Sequence, residues 1–203
     1  MIADKMLEKY RHINVECMDW WDCVYENFKE DMKEHGIDVD KMYFSGFWAQ
    51  GDGACFEGRV EDWELFLKKL GYDNPTLTTH AKNHWSFKVD HSGHYYHENC
   101  TNFSGDLPMP DGYDNDEFIR MFSPYEGEFK SQAWLAVLTD GVHADFESLF
   151  KDTFKDHMRT LYRTLQKEYD YLTSDEAVQE TVIANDLNVE KDDANSESVL
   201  YPT

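Results

Sequence analysis

The sequence predicts an α+β protein: an antiparallel sheet of about four strands, in two hairpins, packed with several helices that include a long C-terminal helical segment. Residues 42–60 and 85–103 each contain two short apolar runs separated by turn-forming residues, a pattern typical of β-hairpins. Residues 3–35 and the region from Ser123 to about Leu172 repeat apolar side chains every three or four positions, as helices do. Two hairpins in one antiparallel sheet, with helices on one face, make an α+β architecture.

The composition indicates a folded chain with one main domain. Its 203 residues suit a single domain over residues 1–185, followed by an acidic, frayed tail over residues 186–203. Aromatic residues make up 15%, which excludes a fully disordered chain. No apolar run reaches the ~18 residues that a membrane span needs, and no signal peptide is visible. The four cysteines form no Cys-x-x-Cys pair, so we expect free thiols in a reducing cytosol.

The N-terminal part is expected to run helix, hairpin, helix. An apolar residue recurs every four positions within residues 3–35, and Gly36 ends this pattern as a C-cap residue would. Aromatic and apolar runs predict strands at residues 42–48 and 54–60, joined through a Gln-Gly-Asp-Gly turn. Residues 61–70 then form a short amphipathic helix.

The next segment is expected to hold the second hairpin. Residues 73–83 are polar and predict an irregular connection. Residues 85–90 alternate apolar and polar side chains, and residues 94–103 follow a Ser92-Gly93 dipeptide. This arrangement predicts two strands joined by a two-residue turn.

The C-terminal part is expected to be helical after an acidic loop at residues 104–117. Ser123 is a good helix cap, and an apolar pattern continues from there to about Leu172, with Gly141 as a point where the helix can divide. Residues 173–176 form a capping box that opens a last helix.

Three stretches resemble a known family. They are residues 43–58 (YFSGFWAQGDGACFEG), residues 91–98 (HSGHYYHE) and residues 171–178 (YLTSDEAV). They are similar to a family of small phage and prophage proteins of unknown function, some of which carry the label "antitoxin of a toxin–antitoxin stability system". The resemblance implies a phage origin and action inside a bacterium, and it brings no catalytic residues. Ala49 stands where many members have Ser, which excludes a serine nucleophile at this position.

The motif loop has a functional and a structural interpretation. Glycines beside an acidic residue allow a ligand to approach the backbone closely, or they form a tight turn in which Asp52 bonds its own backbone. We expect Gly51 or Gly53 to have a positive φ. Asp52 and Glu57 also form a candidate two-carboxylate site for acid–base chemistry. The residues of this candidate site are Gln50, Gly51, Asp52, Gly53 and Glu57.

Five histidines lie within eighteen residues: His80, His84, His91, His94 and His97. A two-residue turn at Ser92-Gly93 places His91 and His94 opposite each other, with Cβ atoms ~5 Å apart. Such a pair can share a zinc ion, and His97 is a further candidate ligand. His94 and His97 point to opposite strand faces, however, so a plain surface cluster is the alternative. The interpretation that we prefer needs no cofactor.

Charge is the strongest global feature, because 41 acidic residues outnumber 19 basic ones and give a net charge of −22. This charge excludes a protein that coats nucleic acid. A rigid acidic helix of ~45 residues, ~67 Å long, can imitate duplex DNA, whereas simple solubility is the alternative explanation. The candidate partner-binding residues are those of the acidic loop: Asp106, Asp111, Asp114, Asp116 and Glu117.

Charge and resemblance together predict a non-enzymatic phage accessory protein of the bacterial cytoplasm. It would bind a basic bacterial protein that handles nucleic acid, such as a nuclease, a restriction or defence complex or a polymerase, and inhibit or redirect it as a DNA mimic. Exposed aromatic side chains would serve as anchors. If the acidity serves only solubility, the aromatic surface around Trp48 and Phe56 is the next candidate interface. One alternative is a metal-dependent enzyme built on the His91/His94 hairpin. Another is an antitoxin that neutralises a basic toxin. We expect no direct contact with nucleic acid or membranes.

Overall fold

The α+β fold is confirmed in a computed structural model that describes residues 4–16, 19–108 and 146–187. Within these ranges it contains one four-stranded antiparallel sheet and six helices. The strands are β1 (Ile37–Phe44), β2 (Ala54–Val60), β3 (Ser86–His91) and β4 (Thr101–Asp106). The helices are α1 (Asp4–Lys9), α2 (Asp22–Glu34), α3 (Trp63–Lys69), α4 (Pro75–His84), α5 (Phe146–Leu172) and α6 (Asp175–Ala184).

The sheet has the simplest antiparallel order, β1-β2-β3-β4. Strands β1 and β2 pair along most of their length, with a register shift between Val39 and Lys41. Strands β3 and β4 pair from Ser86↔Asp106 to His91↔Thr101. The ladder between β2 and β3 is short, and it joins the two hairpins into one sheet.

The chain divides into two compact units, residues 1–24 with 164–203 and residues 25–163, and the boundary falls within helices α2 and α5. The larger unit contains the sheet and an aromatic core. The ring of Phe154 lies 5.7 Å from that of Phe56, 6.1 Å from that of Phe66 and 5.5 Å from that of Phe87. Each of these four side chains is buried, so α5 and α3 are held against one face of the sheet by aromatic packing.

The opposite face of the sheet carries charged side chains. Along β3, Phe87 and Val89 are buried while Ser86, Lys88 and Asp90 are exposed, as the period of a half-buried strand requires. On β2, Arg59 forms ion pairs with three acidic side chains, those of Asp38, Asp40 and Glu61.

The smaller unit is held together by polar contacts between its two chain segments. The Arg11 guanidinium donates to the Thr173 carbonyl (3.1 Å) and pairs with the Asp175 carboxylate. Asn14 donates to the Leu172 carbonyl (2.9 Å) and accepts from the Thr181 hydroxyl (2.7 Å). These bonds tie the N-terminal segment to the turn that precedes α6.

Several predicted elements are confirmed with shifted ends. Strand β2 has the predicted bounds, and α3 lies within residues 61–70, where the Asp62 side chain caps its first turn. Strand β1 begins at Ile37 rather than residue 42, because Ile37 and Val39 are buried while Asp38 and Asp40 pair with Arg59. Gly36 has φ 75°, as a C-cap position after α2 requires.

The prediction of an unbroken helix over residues 3–35 was wrong. Residues 10–16 form turns between α1 and α2, and α2 begins only at Asp22. The four-residue apolar pattern therefore describes α2 alone, with Val24, Phe28 and Met32 buried.

The prediction of an irregular segment at residues 73–83 was also wrong, because these residues largely belong to α4. The Asn74 side chain accepts from the backbone N–H groups of Thr76 (2.9 Å) and Leu77 (3.2 Å), and Pro75 occupies the first turn. Buried Leu77 and Ala81 lie four residues apart on one face. A cap, a first-turn proline and this spacing together outweigh the polar composition.

The second hairpin is real, but its predicted two-residue turn was wrong. Residues 92–100 form the connection, and His91 pairs with Thr101 rather than facing His94. The Ser92 N–H donates to the Cys100 carbonyl (2.8 Å) and closes this loop. Residues 94–100 therefore lie outside β4, which begins only at Thr101.

The C-terminal helices agree with the predicted pattern where they are described. The predicted apolar pattern has seven positions on α5; Phe150, Phe154, Met158, Leu161 and Leu165 are buried, whereas Tyr169 and Leu172 are half-buried. Ser174 caps α6 by accepting from the Ala177 N–H (3.3 Å), as the capping box predicts. The predicted helix start at Ser123 and the Gly141 division lie outside the described residues, as does the tail from residue 188. No helix in the described ranges is long and apolar enough to span a membrane.

Candidate functional site

The connection between β1 and β2, residues 45–53, is called loop L1 here, and it is closed by its own hydrogen bonds. The Ser45 N–H donates to the Gly53 carbonyl (3.2 Å), and the Gly53 N–H donates to the Ser45 hydroxyl (3.2 Å). Asp52 Oδ2 accepts from the backbone N–H groups of Trp48 (2.9 Å) and Ala49 (2.6 Å). Asp52 therefore does bond its own backbone, as the structural interpretation of the motif expects.

Loop L1 packs directly on loop L2, which comprises residues 92–100. Gly51 has φ 95°, and a Cβ there would lie 2.7 Å from the ring of Tyr95. A Cβ on Gly53 would lie 2.7 Å from the Tyr96 carbonyl oxygen. The expectation of a positive φ is thus confirmed at Gly51, whereas Gly53 allows the two backbones to approach. The sequence analysis missed this contact between two stretches that both carry the family resemblance.

An aromatic and acidic cluster lies beside the two loops. The Tyr43 hydroxyl donates to Glu57 Oε1 (3.0 Å), and the Tyr43 ring lies 5.2 Å from the Tyr96 ring and 4.8 Å from the His91 ring. Burial and the hydrogen bond to Glu57 raise the pKa of Tyr43. Burial would raise the pKa of Glu57 as well, but hydrogen bonds from Tyr43 and Lys41 outweigh it and hold that pKa below its usual value. Glu57 is therefore an ionised hydrogen-bond acceptor.

Helix α5 contacts both loops through its side chains. The Phe47 ring of L1 lies 5.6 Å from the Tyr162 ring, and burial together with the negative charge of Asp52 raises the pKa of Tyr162. In L2, Glu98 accepts from Arg159 Nε (3.3 Å), and the Asn99 side-chain oxygen accepts from Lys155 Nζ (3.3 Å). The L1–L2 pair therefore rests on a regular element rather than projecting alone.

Two aromatic side chains of this loop pair are exposed. Trp48 in L1 is 75% exposed, and Tyr95 in L2 is 53% exposed. Trp48 thus suits the predicted role of a surface anchor. Phe56 does not, because it is completely buried in the core against Phe28 and Phe154. Large exposed aromatic side chains are typical of contact surfaces.

The two carboxylates of the predicted two-carboxylate site have different hydrogen-bond partners. Asp52 bonds the backbone of L1, whereas Glu57 bonds Tyr43 and pairs with Lys41 (3.4 Å). Gln50 is exposed at the tip of L1. Asp52 therefore stabilises the loop, Gly51 and Gly53 allow it to pack on L2, and Glu57 bonds its neighbours on the sheet.

The three predicted histidine ligands have separate surroundings. His91 packs against both Tyr43 and Tyr96, His94 lies edge-on to the Tyr95 ring (5.2 Å), and His97 Nδ1 lies 2.9 Å from a Glu98 carboxylate oxygen. The predicted opposition of His91 and His94 was wrong, because L2 replaces the two-residue turn. Among the residues that the structure describes, no group of three or more His, Cys, Asp or Glu side chains could hold a metal ion.

The other two histidines of the sequence cluster are neighbours on α4. The rings of His80 and His84 lie 4.7 Å apart, and both line a shallow depression of about 480 Å³. His80 Nε2 and Trp85 Nε1 both lie within hydrogen-bond distance of the Pro108 carbonyl, at 2.7 and 2.9 Å. His80 and Trp85 therefore connect the residues that follow β4 to the C-terminal end of α4.

The negative charge is unevenly distributed along the chain. Helix α5 has five acidic and five basic residues, so its net charge is zero. Helix α2 has five exposed acidic residues, Asp22, Glu26, Glu30, Asp31 and Glu34, against two lysines. Residues 109–145 contain eight acidic and two basic residues. Of the predicted partner-binding residues, Asp106 is exposed on β4, and Asp111, Asp114, Asp116 and Glu117 lie outside the described residues.

Comparison with known proteins places this chain in a family. A family model described as a domain of unknown function (DUF8835) matches residues 20–175, which is most of the chain. The chain belongs to the DUF8835 family. No curated protein and no solved structure matches it. The DUF8835 match contains the whole sheet, both loops and α5, so the L1–L2 pair lies within the family domain.

Proposed function

We propose that this DUF8835 protein is a binding protein, which occupies a basic surface of a bacterial protein that handles nucleic acid and thereby inhibits or redirects it. The net charge of −22 carries this proposal. A surface of that charge attracts basic patches and speeds their encounter. Basic surfaces of this kind are what nucleases, restriction or defence complexes and polymerases use to bind phosphate backbones.

The charge distribution supports particular regions as the contact surface. Helix α5 is unsuited to the role of an acidic rod, because its acidic and basic residues balance. The surplus lies instead in helix α2, in the 104–117 segment and in the residues from Ser174 onward. In this proposal, mimicry of nucleic acid comes mainly from α2 and the 104–117 segment rather than from one long helix, and the residues from 186 onward contribute less.

The family resemblance of the three motif stretches supports a finer version of the proposal. In that version the protein is encoded by a phage or prophage, acts in the bacterial cytoplasm and serves the phage against its host. An antitoxin that neutralises a basic toxin would bind its partner through the same charge complementarity. Identification of the partner distinguishes the antitoxin from the phage inhibitor.

The direct test is affinity capture from bacterial cells that express the protein, followed by mass spectrometry of the retained proteins. We expect one basic nucleic-acid-handling protein, whose binding competes with DNA or RNA and weakens steeply between about 50 and 200 mM salt. A complex that is insensitive to salt over this range would contradict mimicry, and the acidity would then serve solubility.

A charge-reversal pair sharpens the test. Changing Asp111, Asp114, Asp116 and Glu117 to Lys should slow association with the captured partner, because charges near the interface steer encounter. The matched control changes Glu190, Asp192, Asp193 and Glu197 to Lys, an equal change in net charge. Equal effects of the two variants would show that total charge matters and that the 104–117 segment is not the contact surface.

Elemental analysis tests the metal-dependent enzyme as the alternative function. If the histidines serve only packing, the purified protein contains no stoichiometric zinc, and EDTA leaves its melting temperature unchanged. About one zinc per chain, together with a lower melting temperature in EDTA, would favour the enzyme.

A further inference from the structure

The two exposed aromatic side chains, those of Trp48 and Tyr95, belong to the joined loops L1 and L2, and L1 also carries the Asp52 carboxylate. The backbone N–H of Trp48 donates to Asp52 Oδ2, and the Tyr95 ring packs on Gly51, the residue before Asp52. Within the described part of the chain, Asp52 Oδ1 accepts no hydrogen bond. Trp48, Tyr95 and Asp52 are called the aromatic platform below.

We propose that the aromatic platform binds arginine side chains of a basic partner segment. This inference rests on the proposed function and names the chemistry of its contact. A guanidinium group stacks on aromatic faces and donates planar, paired hydrogen bonds to carboxylates. Trp48 and Tyr95 supply the aromatic surface, and Asp52 supplies the carboxylate.

The charge of the molecule argues for a cationic occupant. An exposed aromatic pair alone would suit many apolar ligands, but this pair shares its two joined loops with a carboxylate, on a chain of net charge −22. An anionic ligand would be repelled, and an apolar ligand that covered Asp52 would remove its Oδ1 atom from water without supplying a hydrogen-bond donor. Arginine can both stack on the aromatic rings and donate hydrogen bonds to the carboxylate.

The support of the loops argues for a preformed site. Loop L1 is closed by its own backbone and side-chain bonds, Gly51 and Gly53 place L2 directly against it, and both loops contact α5 through Phe47–Tyr162 and Glu98–Arg159. A contact surface that is held in place before binding loses less conformational entropy when the partner docks. On this account the glycine-rich motif positions the aromatic platform.

The test uses two short peptides of equal charge, one of alternating glycine and arginine and one of alternating glycine and lysine. Binding of each to the full-length protein is measured by titration calorimetry at low salt. We expect tighter binding of the arginine peptide, because lysine stacks poorly and donates no paired bonds. Trp48→Ala and Tyr95→Ala should each weaken arginine-peptide binding by about 3- to 30-fold.

The control variant is Tyr171→Ala, which removes an equally exposed tyrosine (58%) from the other unit and should bind as the wild type does. Asp52→Asn keeps the side-chain oxygen that caps L1 but removes the charge, so it should weaken binding and lower its salt dependence. Circular dichroism establishes that each variant is folded.

The inference is overturned if Trp48→Ala and Tyr95→Ala bind the arginine peptide as the wild type does, or if the two peptides bind equally. These outcomes leave the proposed function intact, provided that cells still yield a salt-sensitive basic partner. If affinity capture retains no salt-sensitive basic partner while the protein still prefers the arginine peptide, the proposed function alone is contradicted.

Discussion

Two of the three glycines of loop L1, Gly51 and Gly53, are required for different physical reasons. Gly51 has a positive φ, a conformation that L-residues adopt at a cost of about 1–2 kcal/mol. It also lies against the Tyr95 ring, so a side chain there would meet a second obstacle. Gly53 lacks a positive φ, but its missing Cβ makes room for the Tyr96 carbonyl. The motif therefore requires glycine at position 51 for its backbone conformation and at position 53 for close packing of L1 on L2.

Gly51→Ala tests this interpretation against a matched control, Gly93→Ala. Gly93 also has a positive φ (101°), but a Cβ there would have no neighbour within 4 Å. We expect Gly93→Ala to lower the free energy of unfolding by about 1 kcal/mol, and Gly51→Ala to lower it by about 2–3 kcal/mol. Urea denaturation measures both values. Equal losses would mean that the Tyr95 contact contributes nothing.

His157 is a described residue whose titration should affect stability in mildly acidic solution. Its ring is mostly buried on α5, 5.0 Å from that of His35. Burial and the neighbouring His35 lower its pKa from 6.5 to about 4 in the folded protein. The negative charges of Asp31 and Asp156 raise this pKa, but their effect is smaller. The unfolded chain therefore binds a proton at a higher pH than the folded chain does.

The sign of this effect follows from linkage. Above pH 6.5 His157 is neutral in both states, whereas between pH 6.5 and about pH 4 only the unfolded state gains the proton. Its contribution is therefore lost as pH falls through that window, up to about 3 kcal/mol. We expect His157→Gln to flatten the pH dependence of the unfolding free energy over this range. His94→Gln, at an exposed position, is the control, and an unchanged slope in His157→Gln would contradict the assignment.

Helix α4 shows how a few end residues specify an element. Most of its residues are polar, and its buried face consists of Leu77 and Ala81. Asn74 satisfies two backbone N–H groups of the first turn, and Pro75 has none to satisfy. The cap is therefore a large share of what favours the helix.

Asn74→Ala tests the importance of this cap. It should lower the free energy of unfolding by about 1 kcal/mol, because two N–H groups lose their acceptor. Asn83→Ala makes the same substitution at an exposed position of the same helix and should be neutral or slightly stabilising. A similar response from both variants in urea denaturation would show that the cap is unimportant.

The electrostatics of the whole molecule follow from its excess of acidic residues. A net charge of −22 repels itself in the compact state, and dissolved ions screen part of this repulsion. We expect the melting temperature to rise as sodium chloride increases from about 10 to 150 mM, where the Debye length falls to about 8 Å.

The four-lysine variant of the 104–117 segment is the comparison for this prediction, because its net charge is smaller. Its melting temperature should rise less over the same salt range when both proteins are followed by calorimetry. A wild-type melting temperature that falls with salt would show that attractive pairs, such as those of Arg59, dominate over repulsion.

Local patterns were enough to predict the α+β class, strand β2, helix α3, the start of α6 and the inward face of α5. In each case the side chains that specify the element lie within a few residues of one another. The Ser174 cap and the four-residue spacing of Phe150 and Phe154 are such signals. The same locality explains the error at α4, where a short polar helix offered a weak periodic signal beside a clear cap.

The site, by contrast, depends on contacts between residues far apart in the chain. Sequence analysis singled out the Gln-Gly-Asp-Gly motif and the histidine-rich stretch, but it treated each as a separate turn. Tyr95 and Tyr96 leave the predicted strand and pack instead on Gly51, Gly53 and Tyr43, and the stacking of Tyr96 on Tyr43 is an aromatic contact that favours this arrangement. These contacts join residues about 40 to 50 positions apart, which local spacing does not predict, so only the folded structure brings the loop of Trp48 and Asp52 against the loop of Tyr95.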